Sequence, residues 1–111
     1  NKPVILAVDD DDDNLVLVSL AVEQLFDCSL VTAVDGETAL SLTHIYQPDL
    51  ILLDIRLHDL NGLEVIRRLR QHPDTQVIPI IAVTALAKPE ERASIFAAGC
   101  DDYLSKPYML E

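Results

Sequence analysis

Short runs of apolar residues alternate with longer stretches of helical period along this chain. The apolar runs are bounded by polar or turn-forming residues, as in VILAV near the start and LILL in the middle of the chain. Runs of this length are typical of strands buried in a sheet. They predict five strands: Val4–Val8, Ser29–Val34, Asp49–Asp54, Pro79–Thr84 and Asp102–Ser105.

The stretch from Asn14 to Phe26 predicts the first helix, because its apolar residues recur at helical spacing. Asp13 or Asn14 is the predicted N-cap, since side chains of this type accept a hydrogen bond from the first free backbone N–H groups. The residues predicted to face the core form one stripe: Leu17, Val18, Ala21, Val22 and Leu25.

Three more helices are predicted from end signals and periodicity. Asp35 can cap a helix that runs to about Tyr46. Pro89 suits the first position of a helix, and Gly99 suits the residue just after its end. Between these two lies a helix over Gly62–Gln71, whose predicted inward residues are Leu63, Ile66 and Leu69.

The resulting order alternates strand and helix from the first strand to the fifth. Such alternation with short loops predicts parallel strands, right-handed crossovers and helices on both faces. The expected fold class is α/β, a doubly wound five-stranded parallel sheet. Open sheets of this kind bind ligands beyond the carboxyl ends of their strands.

Polar side chains follow four of the five predicted strands. Asp9 and Asp10 come after the first strand, Asp54 ends the third, Thr84 ends the fourth and Lys106 follows the fifth. Because parallel strands point the same way, these side chains are predicted to meet at one edge of the sheet. The second strand lacks such a residue and is a candidate outer strand.

Three carboxylates at one edge would repel one another unless a cation lies among them. Mg²⁺ prefers carboxylate and carbonyl oxygens, and a lysine ammonium can pair with them as a point charge. Together with a hydroxyl, these groups suit a phosphoryl site in which a carboxylate attacks and forms an acyl phosphate.

Simpler interpretations compete with this one at several residues. The acidic run Asp11–Asp13 is more simply a solvated turn. Thr84 and Lys106, each taken alone, would be an ordinary strand residue and an exposed lysine. Asp54 is the sharpest case, because a lone acid ending the apolar run LILL is costly to bury without a task. The histidines lack metal-ligand spacing and are predicted to lie on the surface: His44, His58 and His72.

Length and composition narrow the class of protein. The chain has 111 residues, which suits one domain, and a formal net charge of −11. That charge argues against direct contact with nucleic acid. No apolar run approaches the roughly 20 residues that span a membrane, and no signal peptide is visible. Cys28 and Cys100 have no metal-binding or redox spacing, so we expect two reduced buried thiols in a cytoplasmic protein.

At this point the sequence resembles the receiver domains of two-component response regulators. The segments that carry the resemblance are ILAVDDDDDN, PDLILLDIRLHDLNGLEVIRRLR, PIIAVTALA and AAGCDDYLSKPY, which cover nearly the whole chain. The resemblance implies the flavodoxin-like strand order 2-1-3-4-5 and one receiver domain over residues 1–111.

The resemblance implies a role for each matching residue of the phosphoryl site. Asp54 would accept the phosphoryl group of a histidine kinase or phosphotransfer protein. Asp10 would bind Mg²⁺ directly, and Asp9 would help through water or by holding Lys106. The backbone carbonyl of Arg56 would be a further metal ligand, and Lys106 would pair with a phosphoryl oxygen.

Three more residues would carry the response. Thr84 would hydrogen-bond the phosphoryl group and move toward it. Ala85 would offer its backbone N–H and leave room for the phosphodonor. Tyr103 would swing inward as Thr84 moves and change the surface seen by a downstream effector. A half-buried tyrosine without such a role is the competing interpretation.

The chain also departs from the family pattern. His58 stands where the family most often has proline. Family members carry a fifth helix, of which only the first turn is visible before Glu111. We therefore expect one face of the sheet to be partly bare and the native protein to continue further.

Alternative functions remain open at the level of sequence. One is a Mg²⁺-dependent phosphohydrolase that passes through an aspartyl phosphate, although the usual second acid two residues after the nucleophile is Arg56 here. Another is a receiver-like scaffold that is never phosphorylated. A flavodoxin-like cofactor protein is disfavoured, because no glycine-rich phosphate loop follows the first strand.

Val16 and Leu20 are predicted to lie outside the core stripe of the first helix. An exposed apolar pair can mark a dimer or kinase contact, although scattered apolar surface residues are common. A homodimer is therefore one possible assembly.

Overall fold

The computed structural model describes residues 2–57, 59–84 and 89–105, and of Ser105 the backbone only. Within these residues the chain forms five strands and four helices in strict alternation. In chain order they are β1 Val4–Val8, α1 Asp12–Leu25, β2 Ser29–Ala33, α2 Gly36–Tyr46, β3 Leu50–Asp54, α3 Gly62–Gln71, β4 Ile80–Thr84, α4 Pro89–Ala98 and β5 Asp102–Ser105.

All five strands are parallel and lie in the order β2-β1-β3-β4-β5. This confirms the predicted doubly wound sheet and places β2 at its outer edge. The register pairs Val8 with both Ala33 and Leu53, and Asp54 with Val83. Strands β1, β3 and β4 therefore end side by side at one edge.

The alternation of side chains along each strand divides the core into two layers. Leu6 and Val8 of β1 face the layer packed against α2, α3 and α4. Ile5 and Ala7 of the same strand face the layer packed against α1. Because the central strands are buried on both faces, their sequences are apolar at nearly every position.

Helix α1 differs from its prediction in both start and phase. It begins at Asp12, and Asp11 is the N-cap, accepting a hydrogen bond from the Asp13 N–H at 2.9 Å. The buried residues are Leu15, Val18 and Val22, whereas predicted Leu17 and Leu25 are 44% and 66% exposed. Between Leu15 and Val22 every residue except Ser19 is apolar, so the sequence pattern did not single out the inward face.

The ends of the other helices were predicted closely. Asp35 accepts a hydrogen bond from the Thr38 N–H and caps α2 as expected. Gly99 has a φ of +117°, the left-handed region that favours glycine after a helix. Helix α3 has the predicted bounds, with Ile66 and Leu69 buried and Leu63 half-buried.

An apolar groove of about 290 Å³ runs along the α1 side of the sheet. Its walls include Ile5, Val22, Leu52 and Leu104. Of the two free cysteines, Cys100 is buried and Cys28 is half-buried, so the prediction of two buried thiols is only partly right. No described helix is both long enough and apolar enough to cross a membrane.

Candidate functional site

Three aspartates meet at the carboxyl ends of β1 and β3. One carboxylate oxygen from each of Asp9, Asp10 and Asp54 lies within 4.8 Å of the other two. Asp9 is fully buried, Asp54 is 3% exposed and Asp10 is half-buried. The parallel sheet brings these residues together, as the sequence predicted, although Asp54 is more than forty positions from the other two.

Backbone N–H groups help to orient two of the carboxylates. Asp54 Oδ1 accepts a hydrogen bond from the Arg56 N–H at 3.1 Å. Asp9 Oδ1 accepts one from the Asp11 N–H at 3.0 Å. Each bond links an acid to the second residue after it, so the turn that leaves the strand also fixes the acid at its end.

The chain after Asp54 folds back on itself and closes at its base. The Gly62 N–H donates to the Ile55 carbonyl at 2.9 Å, and Arg56 pairs with Asn61 in an antiparallel bridge. A Cβ on Gly62 would lie 2.6 Å from Ile55 Cα and 2.9 Å from the Asp54 carbonyl oxygen. Only glycine therefore lets α3 start this close to the Asp54 backbone.

Thr84 ends β4, the strand next to the one that ends in Asp54, and is 3% exposed. A cavity of about 200 Å³ lies next to it, between Ile55, Leu63 and the α4 residues Ser94 and Ile95. Tyr103 lies one strand further, on β5, and is half-buried. Its ring packs edge-on against Phe96 with centroids 6.1 Å apart, and the Arg92 guanidinium lies 5.5 Å from its centroid.

The aspartate cluster fits a small divalent cation. With Mg–O distances of about 2.1 Å in an octahedron, two ligand oxygens are about 3.0 Å apart when adjacent and about 4.2 Å apart when opposite. The three carboxylate oxygens are within 4.8 Å of one another, so shifts of side-chain size would bring them to the distances of ligands on one ion. Oxygen ligands of this type select Mg²⁺ or Mn²⁺ over softer metals.

The remaining predicted residues are of two kinds. Arg56 is described and exposed, and the role of its carbonyl as a further metal ligand stays a prediction. Ala85 and Lys106, together with His58, lie outside the described residues. The acids that were assigned to a solvated turn, Asp11, Asp12 and Asp13, are all exposed, but Asp12 and Asp13 form the first turn of α1 and Asp11 caps it.

Sequence reasoning missed one residue beside the site, Asp59. Its carboxylate accepts hydrogen bonds from the Gly36 N–H at 2.8 Å and the Glu37 N–H at 3.0 Å, at the start of α2. These bonds lower the pKa of Asp59 from its ordinary value. A topological signal existed, because in β-α units the helix starts lie at the same edge as the loops that follow the strands.

Comparison with known proteins agrees with the geometry. The family model of the response regulator receiver domain matches residues 5–111. A DNA-binding dual master transcriptional regulator of Synechocystis, RpaA, is 39% identical over 109 residues. That match covers 98% of this chain but 45% of RpaA, so the chain spans about half the length of this relative.

Two solved structures show the same fold. The chemotaxis protein CheY4 of Vibrio cholerae has a TM-score of 0.92 at 27% identity, over 98% of this chain and 90% of that one. The receiver domain of the sensor histidine kinase PA1611 of Pseudomonas aeruginosa has a TM-score of 0.88 at 31% identity. That match covers 98% of this chain and 88% of the other, which holds a magnesium ion in its active-site cleft.

Proposed function

Because this chain belongs to the response regulator receiver family, we propose that it is a switch controlled by phosphorylation of Asp54. In this proposal a histidine kinase or phosphotransfer protein donates the phosphoryl group in a Mg²⁺-dependent reaction. The new group then changes the surface that the domain presents to a downstream effector. The domain is a signalling module with self-phosphorylation and self-dephosphorylation chemistry only.

The observation that carries the proposal is the cluster of Asp9, Asp10 and Asp54 carboxylates at the sheet edge. Burying an ionised carboxylate at the end of an apolar strand costs free energy unless charged or hydrogen-bonding partners compensate it. Two neighbouring acids from β1 suit a metal ion, and the acid on β3 suits a nucleophile beside it. Mg²⁺, when bound, would neutralise charge on the phosphoryl oxygens.

The chemistry assigned to Asp54 is a direct displacement. One of its carboxylate oxygens attacks phosphorus, an O–P bond forms, and the N–P bond of the donor phosphohistidine breaks. The departing imidazole takes up a proton. Asp10 would hold the metal directly, Asp9 would help through water or by holding Lys106, and the Arg56 carbonyl would be a further protein ligand. The Arg56 N–H keeps Asp54 oriented through the bond to Oδ1.

Lys106 and Ala85 are assigned roles by resemblance to the family. The Lys106 ammonium would pair with a phosphoryl oxygen and offset charge among the acids. The Ala85 N–H would donate to another phosphoryl oxygen, and its small side chain would leave the donor access to Asp54.

The proposed response runs through Thr84 and Tyr103. A phosphoryl group offers three strong acceptor oxygens, and the Thr84 hydroxyl would move to donate to one of them. The cavity beside Thr84 gives side chains room to rearrange. Tyr103 would then leave its contacts with Phe96 and Arg92 and turn inward, altering the α4 and β5 surface.

The proposal extends to the domain and its partners. Residues 1–111 act as one receiver domain, and effector contacts belong to the α4 and β5 surface. Output through another domain is consistent with the match to half of a longer DNA-binding regulator. The receiver itself makes no direct contact with nucleic acid in this proposal, given its charge of −11.

The test is incubation with Mg²⁺ and acetyl phosphate, followed by intact mass measurement. We expect one added phosphoryl group on the unsubstituted chain and none on Asp54→Asn. Asp12→Asn is the matched control, because it removes an exposed acid near the same edge and should still be phosphorylated. Rapid hydrolysis of free phosphomonoesters would instead support the phosphohydrolase, and no modification would support the scaffold.

A further inference from the structure

The chain between Asp54 and α3 is anchored at two separate places. At its base, Ile55 pairs with Gly62 and Arg56 with Asn61. Further out, Asp59 accepts the two hydrogen bonds from Gly36 and Glu37 at the start of α2. The second anchor is long-range in sequence, because it joins residues 23 and 22 positions apart.

The second anchor places a carboxylate at a helix start, where a negative charge is favourable. The first N–H groups of a helix have no partner within the helix, and the helix dipole favours a negative charge there. Asp59 occupies two of these donors, while Asp35 serves a third through Thr38. Leu60 also packs against the helix start, since a Cβ on Gly36 would come within 2.9 Å of Leu60 Cβ.

The helix that receives Asp59 is itself held against α3. Arg68 on α3 bonds Glu37 on α2 at 3.4 Å and Glu64 on its own helix at 3.2 Å. Glu37 therefore takes part in both connections, through its backbone N–H to Asp59 and through its carboxylate to Arg68. The start of α2 is a fixed point to which the chain after Asp54 can be tied.

We infer that Asp59 is a positioning residue for the phosphoryl site, which holds the chain after Asp54 against the start of α2 and so keeps the Arg56 carbonyl in place for the metal. This inference rests on the proposed function. Asp59 touches neither the metal nor the phosphoryl group. It acts through the backbone between Arg56 and Asn61. The N–H of Arg56, at the start of this segment, also orients Asp54.

The predicted consequence of Asp59→Ala is weaker binding of Mg²⁺. Removing a group that contacts and orients a metal ligand typically costs about 10–100-fold in metal affinity. Asp59 does not contact the Arg56 carbonyl and acts on it only through the backbone. We therefore expect the Kd for Mg²⁺ to rise by about 3- to 10-fold. At saturating Mg²⁺ the rate of phosphorylation by acetyl phosphate should return close to that of the unsubstituted chain.

Two variants separate positioning from charge and from helix stability. Asp35→Ala removes the same charge from the same helix start but leaves the Asp59 anchor, so its Kd for Mg²⁺ should stay unchanged. Asp59→Asn keeps an acceptor oxygen without the charge, so its Kd should lie between those of the alanine variant and the unsubstituted chain. Circular dichroism establishes that each variant is folded, and Asp59→Asn serves as the main variant where Asp59→Ala is unfolded.

Calorimetric titration with Mg²⁺ decides the inference, and the mass assay decides the proposed function separately. The inference is overturned if Asp59→Ala and Asp59→Asn both bind Mg²⁺ as the unsubstituted chain does. It is equally overturned if Asp35→Ala loses as much affinity, or if the unsubstituted chain binds no Mg²⁺. A chain that binds Mg²⁺ but is never phosphorylated would sink the proposed function and leave the role of Asp59 at the metal standing.

Discussion

Gly62 limits how far the backbone around Asp54 can move. A methyl group there would collide with backbone atoms of Asp54 and Ile55, which cannot rotate away as a side-chain tip can. We predict that Gly62→Ala destabilises the fold by about 1–3 kcal/mol, the usual cost of overpacking. The same change should weaken Mg²⁺ binding, because relief of the collision must shift the Asp54 backbone. Urea unfolding and Mg²⁺ titration measure the two effects.

Asn61→Ala is the matched control for Gly62→Ala. Asn61 caps the same helix by accepting a hydrogen bond from the Leu63 N–H at 2.8 Å. Its loss should cost about 1 kcal/mol of stability but leave Mg²⁺ affinity unchanged, because its contact with Arg56 runs through the backbone. Equal Mg²⁺ affinity in the two variants would contradict the claim that Gly62 limits movement of the Asp54 backbone.

Asp59 gives the stability of the chain a defined dependence on pH. Its pKa is lowered from the ordinary value of 3.8, because the Gly36 and Glu37 N–H groups stabilise the carboxylate. A group with a lowered pKa stabilises the fold above its unfolded pKa and loses that contribution as the pH falls through the folded pKa. We predict that Asp59→Asn lowers the Tm most at neutral pH, and that the difference shrinks below about pH 4.

Thermal unfolding of both chains between pH 3 and pH 7 measures this difference. Other carboxylates titrate in both chains and largely cancel in the comparison. A difference in Tm that grows on acidification would contradict the lowered pKa.

The acids of the candidate site were predictable, whereas Asp59 was missed, for one physical reason. Asp9, Asp10 and Asp54 follow apolar strands, and a parallel sheet brings strand ends together whatever their separation in sequence. The partner of Asp59 depends instead on how far one loop reaches toward a neighbouring helix. No local pattern in the sequence encodes that distance.

At the scale of elements, Arg70 joins α3 to the loops that precede β4 and β5. Its guanidinium donates to the carbonyls of Gly99, Gln76 and Ile78 at 2.7–3.0 Å. It also bonds the Asp101 carboxylate at 2.9 Å, which in turn accepts from the Ile80 N–H. One side chain thus fixes the end of α4 and the entry to β4 relative to α3.

We predict that Arg70→Ala destabilises the fold by about 1–3 kcal/mol, since three carbonyls, two of them in partly buried hydrogen bonds, lose a charged donor. Arg67→Ala is the control on the same helix. Arg67 is exposed and makes one ion pair with Glu64 at 3.7 Å, which is worth less than about 1 kcal/mol. If the urea unfolding curves of the two variants coincide, the hydrogen bonds of Arg70 do not stabilise the fold more than the surface ion pair of Arg67.

The two helices α1 and α3 show when periodicity identifies a buried face. Charged residues cover the outer side of α3, so its apolar positions stand out. Ile66 and Leu69 were predicted correctly, whereas Leu63 is only half-buried and the buried Val65 was missed. Helix α1 is apolar on several sides, and Leu15 was missed while Leu17 and Leu25 were wrongly placed inward. Val16 and Leu20 were correctly placed on the surface, where they are 58% and 50% exposed.

At the scale of the whole molecule, the acidic excess makes the response to cations a sensitive test of the site. The net charge is −11, so any salt screens repulsion and stabilises the fold to some degree. Binding at Asp9, Asp10 and Asp54 differs from screening in two respects. It saturates at a defined Mg²⁺ concentration, and it depends on particular carboxylates.

We predict that Mg²⁺ raises the Tm of the chain well beyond the effect of NaCl at equal ionic strength. A ligand that binds only the folded state adds about 2.7 kcal/mol at a hundredfold excess over its Kd. Asp10→Asn should abolish the Mg²⁺-specific rise and keep the response to NaCl. Asp27→Asn, which removes an exposed acid paired with Lys2, should retain both. If NaCl and Mg²⁺ raise the Tm equally at matched ionic strength, the aspartate cluster is not a metal site.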